Sequence, residues 1–100
     1  MIFSIPASHP SLPGHFPGQP VVPAVVILDA VVGLLGEHCP GSRLAGVVSA
    51  KFTAILLPEQ ICHVRFEHRA DGLIRFECRE ADRAVASGLL TIREPVHERG

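Results

Sequence analysis

The chain has 100 residues, enough for one domain and one core. It is 47% hydrophobic and 19% charged, a balance that excludes a disordered chain, and an apolar chain this small invites self-association. A formal net charge of −1, no Trp or Tyr and five Phe exclude the basic, aromatic-laced surface that nucleic acid requires.

Ile2 to Ile5 reads as one short strand. From Pro6 to Pro23, six prolines and two glycines prevent any regular helix. This segment adjoins the most hydrophobic part of the chain, so it is read as a rigid functional loop and not as a linker. Residues 24–37 follow as a helix, with Pro23 suited to its first turn and Cys39-Pro40-Gly41 stopping it. Its length favours a helix over the strand that its valines would allow. It has no polar face, which predicts a buried helix.

Residues 44–93 read as antiparallel strands. Leu44 to Leu57 is one long candidate, ended by Pro58. Ile61 to Arg69 alternates, with Cys62, Val64 and Phe66 on one face and His63, Arg65, Glu67 and Arg69 on the other. Asp71-Gly72 is a tight hairpin signal. Leu73 to Glu80 alternates again, Ala81-Asp82 turns, and Ala84 to Arg93 closes the meander. One buried helix and one sheet with one apolar face predict an α+β domain over residues 1–100 in which the sheet wraps the helix.

Cys39, Cys62 and Cys78 form no CxxC pair, and an odd count with no signal-peptide pattern fits buried free thiols in a reducing compartment. The most apolar run, Val21 to Gly36, is interrupted by Pro23 and Asp29 and falls short of the ~20 apolar residues a bilayer span needs. The expectation is a soluble cytoplasmic protein with no membrane partner.

Asp29 is the only charged residue between Val21 and Gly36. A lone carboxylate in a buried helix costs several kcal/mol unless it is paired, hydrogen-bonded or protonated, which marks a candidate site. The plainer alternative is that Asp29 faces solvent at one edge of the helix. His15 sits in Pro13-Gly14-His15-Phe16-Pro17-Gly18, where the flanking residues fix the backbone, and an imidazole titrates near neutrality. Here the plainer alternative is a surface loop histidine. Between the two, Pro23 leads into a helix start whose free N–H groups can stabilise a negative oxygen. A base, an acid and an oxyanion site are the parts needed to pull a proton from carbon beside a thioester carbonyl. His9 and His15 lack a third ligand at suitable spacing, so no metal centre is expected. His63 and His68 point to opposite faces of their strand, and His38 suits the helix C-terminus.

The run from Gly14-His15-Phe16-Pro17-Gly18 through Pro23-Ala24-Val25 to Leu28-Asp29-Ala30 resembles the signature of the 3-hydroxyacyl-acyl-carrier-protein dehydratases. Ala50-Lys51-Phe52, Leu56-Leu57-Pro58 and Ala86-Ser87-Gly88 extend the resemblance to roughly residues 9–92. It implies a hot-dog fold, with an antiparallel sheet around one long helix, and a catalytic histidine and carboxylate fourteen residues apart, as His15 and Asp29 are. By this resemblance residues 6–23 are the active-site loop, His15 removes the C2 proton, Asp29 helps the 3-hydroxyl leave, and the Ala24 N–H polarises the thioester carbonyl. Phe16, Pro23, Val25 and Phe52 would line the acyl site. The resemblance further implies a homodimer that pairs His15 of one chain with Asp29 of the other. No cofactor is implied, and acyl groups would arrive on an acyl carrier protein. The pathway would be fatty-acid, polyketide or aryl-polyene synthesis.

Several residues depart from the family's pattern. Asp29 stands where the commoner branch has Glu, Ala24 where Gly is usual, and Glu59-Gln60 where Gly-Asp is usual. The chain also starts later than typical members. Two other functions fit the same fold: a thioesterase, which would need no His15 loop, and a non-catalytic acyl-binding scaffold. Retention of both His15 and Asp29 argues for the lyase.

Overall fold

A computed structural model describes residues 1–10, 12 and 21–93. In chain order they form β1 (Ile2–Phe3), α1 (Ala24–His38), β2 (Arg43–Phe52), β3 (Cys62–Ala70), β4 (Leu73–Glu80) and β5 (Arg83–Arg93). The five strands make one antiparallel sheet in the order β1-β3-β4-β5-β2. β3, β4 and β5 are the expected meander. The first hairpin turns at Asp71-Gly72, where glycine accommodates a φ of 71°. The second turns at Ala81-Asp82, where Ala81 is held at φ 52° with a Cβ to accommodate.

The alternation in β3 and β4 sorts side chains as period 2 demands. Cys62, Val64, Ile74, Phe76 and Cys78 are buried on one face, and Phe66 is half-buried beside them. Against that face α1 lays Val26, Ile27, Val31 and Leu35. Phe76 is fully enclosed and lies opposite Phe66 on one side and Gly88 on the other. Burial of a side chain of this size contributes roughly 1.5–3 kcal/mol. Glycine is favoured at position 88, because a Cβ would lie 2.9 Å from Phe76 Cζ and closer still to Phe76 Cε2 and the Ser49 carbonyl oxygen, so the surroundings would have to shift.

Two expectations change. The apolar helix is buried along one face only. Val25 is 71% exposed, and Asp29, Gly33 and Gly36 share the open side. Asp29 is therefore not a buried carboxylate within one chain, and no charged side chain is buried among the described residues. The composition of a helix does not record which of its faces the sheet will take.

The long strand expected from Leu44 to Leu57 ends at Phe52. Beyond it the ladder collapses, because the N–H groups of Thr53 and Ala54 both donate to the Val85 carbonyl, at 2.8 and 3.4 Å. Thr53 Oγ1 also donates to the Ala84 carbonyl at 2.9 Å. The freed segment turns Leu56 into the core. It also anchors the other end of the chain: Val22 N–H donates to the Leu56 carbonyl and Glu59 N–H to the Ile5 carbonyl, both at 2.8 Å.

Among the described residues β2 pairs with β5 on one side only, which leaves the backbone groups of its other edge without a strand partner there. Leu44, Val47, Val48 and Phe52 lie exposed along it.

Candidate active site

The site is built around the tip of α1. Pro23 is the N-cap residue, with φ −62° and ψ 150°, and it offers no side-chain cap. The helix ladder opens with Val26 and Ile27 N–H both donating to the Pro23 carbonyl, at 3.0 and 3.2 Å. The Ala24 N–H precedes any intrahelical partner and points out of the helix start, where the dipole is positive. The Val22-to-Leu56 hydrogen bond fixes the approach to this tip from outside the helix.

Beside the tip lies a hollow of about 320 Å³ lined by Val21, Val22, Ala24, Ile27, Phe52, Thr53, Ala54 and Ile55. Its walls are mainly apolar side chains, with backbone polar groups at the helix start and at the collapsed end of β2. An apolar chain tail can lie in it while a polar head meets the helix N–H groups. The structure thus joins Ala24 and Phe52 in one hollow, while Pro23, half-buried between Val22 and Ala24, does not itself line it. Val25 and Asp29 stand one helical turn apart on the adjacent open face of α1 and do not line it. His15 and Phe16 lie outside the described residues.

Nothing in the sequence marks Thr53, Ala54 and Ile55 as site residues, because the apolar run lets the strand continue to Leu57. Glu59 occupies the left-handed region at φ 72°, a conformation that glycine adopts without strain. Its carboxylate accepts a 2.9 Å hydrogen bond from Ala7 N–H, which ties the start of the Pro6–Pro23 loop to this turn. Gln60 Oε1 closes the same turn by accepting from Leu57 N–H at 2.9 Å.

A larger hollow, about 500 Å³, lies on the opposite face of the sheet and is lined partly by Lys51, Arg69 and Arg75. Arg69 and Arg75 already face Glu67 at 3.1 Å and Glu77 at 3.7 Å, and the hollow does not reach the helix tip. In the core, Cys78 is held as a neutral thiol by its hydrogen bond to Cys62 and by burial, both of which push its pKa up. Neither cysteine lines the hollow at the helix tip.

Comparison with known proteins bears on the family and the fold. The ApeI-like family, described as ApeI dehydratase, matches residues 1–89. The 3-hydroxyacyl-[acyl-carrier-protein] dehydratase FabZ of Klebsiella pneumoniae is 35% identical over 86 residues, covering 74% of this chain and 57% of that protein. The chain thus spans little more than half the length of this curated relative. Among solved structures, the dehydratase heterocomplex ApeI:P from Xenorhabdus doucetiae aligns with a TM-score of 0.77 at 22% identity, covering 91% of this chain and 82% of that one. A point mutant of the fluoroacetyl-CoA-specific thioesterase FlK aligns with a TM-score of 0.63 at 17% identity, covering 94% and 87%. These likenesses identify the architecture, one helix packed on a five-stranded antiparallel sheet, as the hot-dog fold.

Proposed function

Because the chain belongs to the ApeI-like dehydratase family, we propose that it is a hydro-lyase that removes water from a 3-hydroxyacyl thioester to leave a trans-2-enoyl thioester. The observation that carries this reading is the helix tip, where Ala24 opens α1 onto an apolar hollow with Asp29 little more than a turn further along. In this reading the thioester carbonyl accepts from the Ala24 N–H, which draws electron density from C2 and acidifies its proton. The imidazole of His15 takes that proton. The electron pair left on C2 forms the C2–C3 double bond as the C3–O bond breaks. The departing hydroxyl leaves as water by taking a proton through Asp29, and the proton held on His15 returns to Asp29 to reset the site. No organic cofactor or metal enters these steps.

Two copies of the chain would complete the site. The open face of α1, with Val25, Asp29, Gly33 and Gly36, and the bare edge of β2 are surfaces that a second copy would cover. His15 of one copy would then meet Asp29 of the other, with Phe16, Val25 and Phe52 around the acyl chain. The substrate would arrive on the phosphopantetheine arm of an acyl carrier protein, in fatty-acid, polyketide or aryl-polyene synthesis.

The test is to incubate the protein with a 3-hydroxyacyl thioester and follow enoyl absorbance and free thiol together. The reading expects enoyl formation without thiol release, abolished by His15→Ala. Thiol release would make the protein a thioesterase. A His15→Ala variant with full dehydration would overturn the assignment.

A further inference from the structure

At the opposite end of α1 the fold assembles a second group of chemistry-bearing side chains. His38 is the last helical residue and Cys39 is the C-cap, held by its N–H donating to the Leu35 carbonyl at 2.9 Å. His68 comes from β3, at the same parity as Cys62, Val64 and Phe66, and so projects on the helix side of the sheet. Cys39 Sγ lies 3.7 Å from His68 Nε2. The His38 and His68 rings stack with centroids 5.9 Å apart and 27° between planes, and His38 also packs on Phe66 at 5.0 Å. One ligand atom from each of the three residues falls within 4.8 Å of the others.

We propose that His38, Cys39 and His68 form a three-ligand site for a borderline-soft divalent cation of the Zn²⁺ type. Tetrahedral Zn²⁺, with bonds of ~2.3 Å to sulfur and ~2.0 Å to nitrogen, sets sulfur and nitrogen ligands ~3.5 Å apart. The Cys39–His68 separation already lies near that edge length. His38 is exposed, so its ring can turn the remaining distance without repacking the core. Thiolate with imidazole selects Zn²⁺, Co²⁺ or Cu over Mg²⁺ and Ca²⁺, which want oxygen ligands. The C-terminal end of the helix dipole is negative and favours a cation there. Binding displaces the Cys39 thiol proton to solvent, and the described residues supply three of the four tetrahedral positions. The cation would pin the end of α1 to β3. At ~1.5 Å per residue along a 15-residue helix, it would sit some 20 Å from Ala24. This inference is therefore independent of the dehydratase reading. Cys62 and Cys78 do not compete, being enclosed in the sheet core.

The experiment is a titration of the chelator-stripped full chain with Co²⁺, read by absorbance. The expected result is one ion per chain, with a thiolate-to-cobalt charge-transfer band in the near ultraviolet and d–d bands in the visible. Zn²⁺ should displace the cobalt, raise the melting temperature and protect Cys39 from iodoacetamide. Cys39→Ser should abolish the charge-transfer band while circular dichroism stays unchanged. His68→Gln should weaken Co²⁺ binding by more than the about 10–100-fold typical of losing an outer-shell partner. Absence of the band at millimolar Co²⁺, or its survival in Cys39→Ser, would overturn the proposal.

Discussion

The contact of Gly88 with Phe76 allows a sharp test of the sheet register, through Gly88→Ala. The new methyl would enter a space already held by the Phe76 ring edge and the Ser49 carbonyl oxygen. Phe76 cannot swing aside, because it is fully enclosed between Phe66 on β3 and Gly88 on β5. Ser49 cannot retreat without pulling β2 off β5. Inserting one methyl into a core of this kind costs ~1–3 kcal/mol, against the few tenths to ~1 kcal/mol that alanine gains by reducing unfolded-chain freedom. The net expectation is a loss of ~1–2 kcal/mol, which for a chain this size lowers the melting temperature by roughly 4–16 °C. Urea unfolding followed by circular dichroism reads it directly, with the midpoint falling and the slope unchanged. Phe76→Leu in the Gly88→Ala background should cost less than Phe76→Leu alone, because the smaller side chain makes room for the methyl. A Gly88→Ala protein as stable as the parent would refute the packing of Phe76 on Gly88, and with it the β4–β5 register.

Three further outcomes are expected. His15→Ala and Asp29→Ala should each lose about 10²–10⁴ in rate, and an equimolar co-refolded mixture should recover about a quarter of parental activity, since mixed dimers hold one intact shared site; a mixture as inactive as its components would exclude a site built across two chains. Ala81→Gly should stabilise the protein by about 1 kcal/mol by relieving the left-handed backbone at φ 52°, and urea unfolding would show the idea wrong if stability fell. Cys78, whose raised pKa keeps it a thiol and not the reactive thiolate, should stay unmodified by a thiol reagent at neutral pH until denaturant is added, with mass spectrometry placing the native-state label at half-buried Cys39.

Much of the fold could be read from local pattern. β3 and β4 follow from the strict alternation of Cys62, Val64 and Phe66, then Ile74, Phe76 and Cys78, and Asp71-Gly72 fixes the turn between them. The end of β2 was not legible, since Pro58 marks a stop while the true break comes where two N–H groups converge on the Val85 carbonyl. That carbonyl belongs to β5, and no window around Thr53 contains it. Asp29 stands out in composition, but its exposure depends on which side of α1 the sheet occupies. The parity of His68 was legible, whereas its approach to Cys39 joins positions 29 residues apart and needed the tertiary fold. Ala24 and Phe52 likewise meet only once the collapsed segment after β2 turns back toward the helix tip.

The bare edge of β2 also bears on how the chain survives its own synthesis. Between Leu44 and Phe52 the sequence is Leu-Ala-Gly-Val-Val-Ser-Ala-Lys-Phe, and Lys51 is the one charge within it. A newly made chain presents this strand as a docking template for any other extended polypeptide until something covers it. Lys51 then acts as a gatekeeper: stacking copies of the strand in register would bring like charges together at every layer.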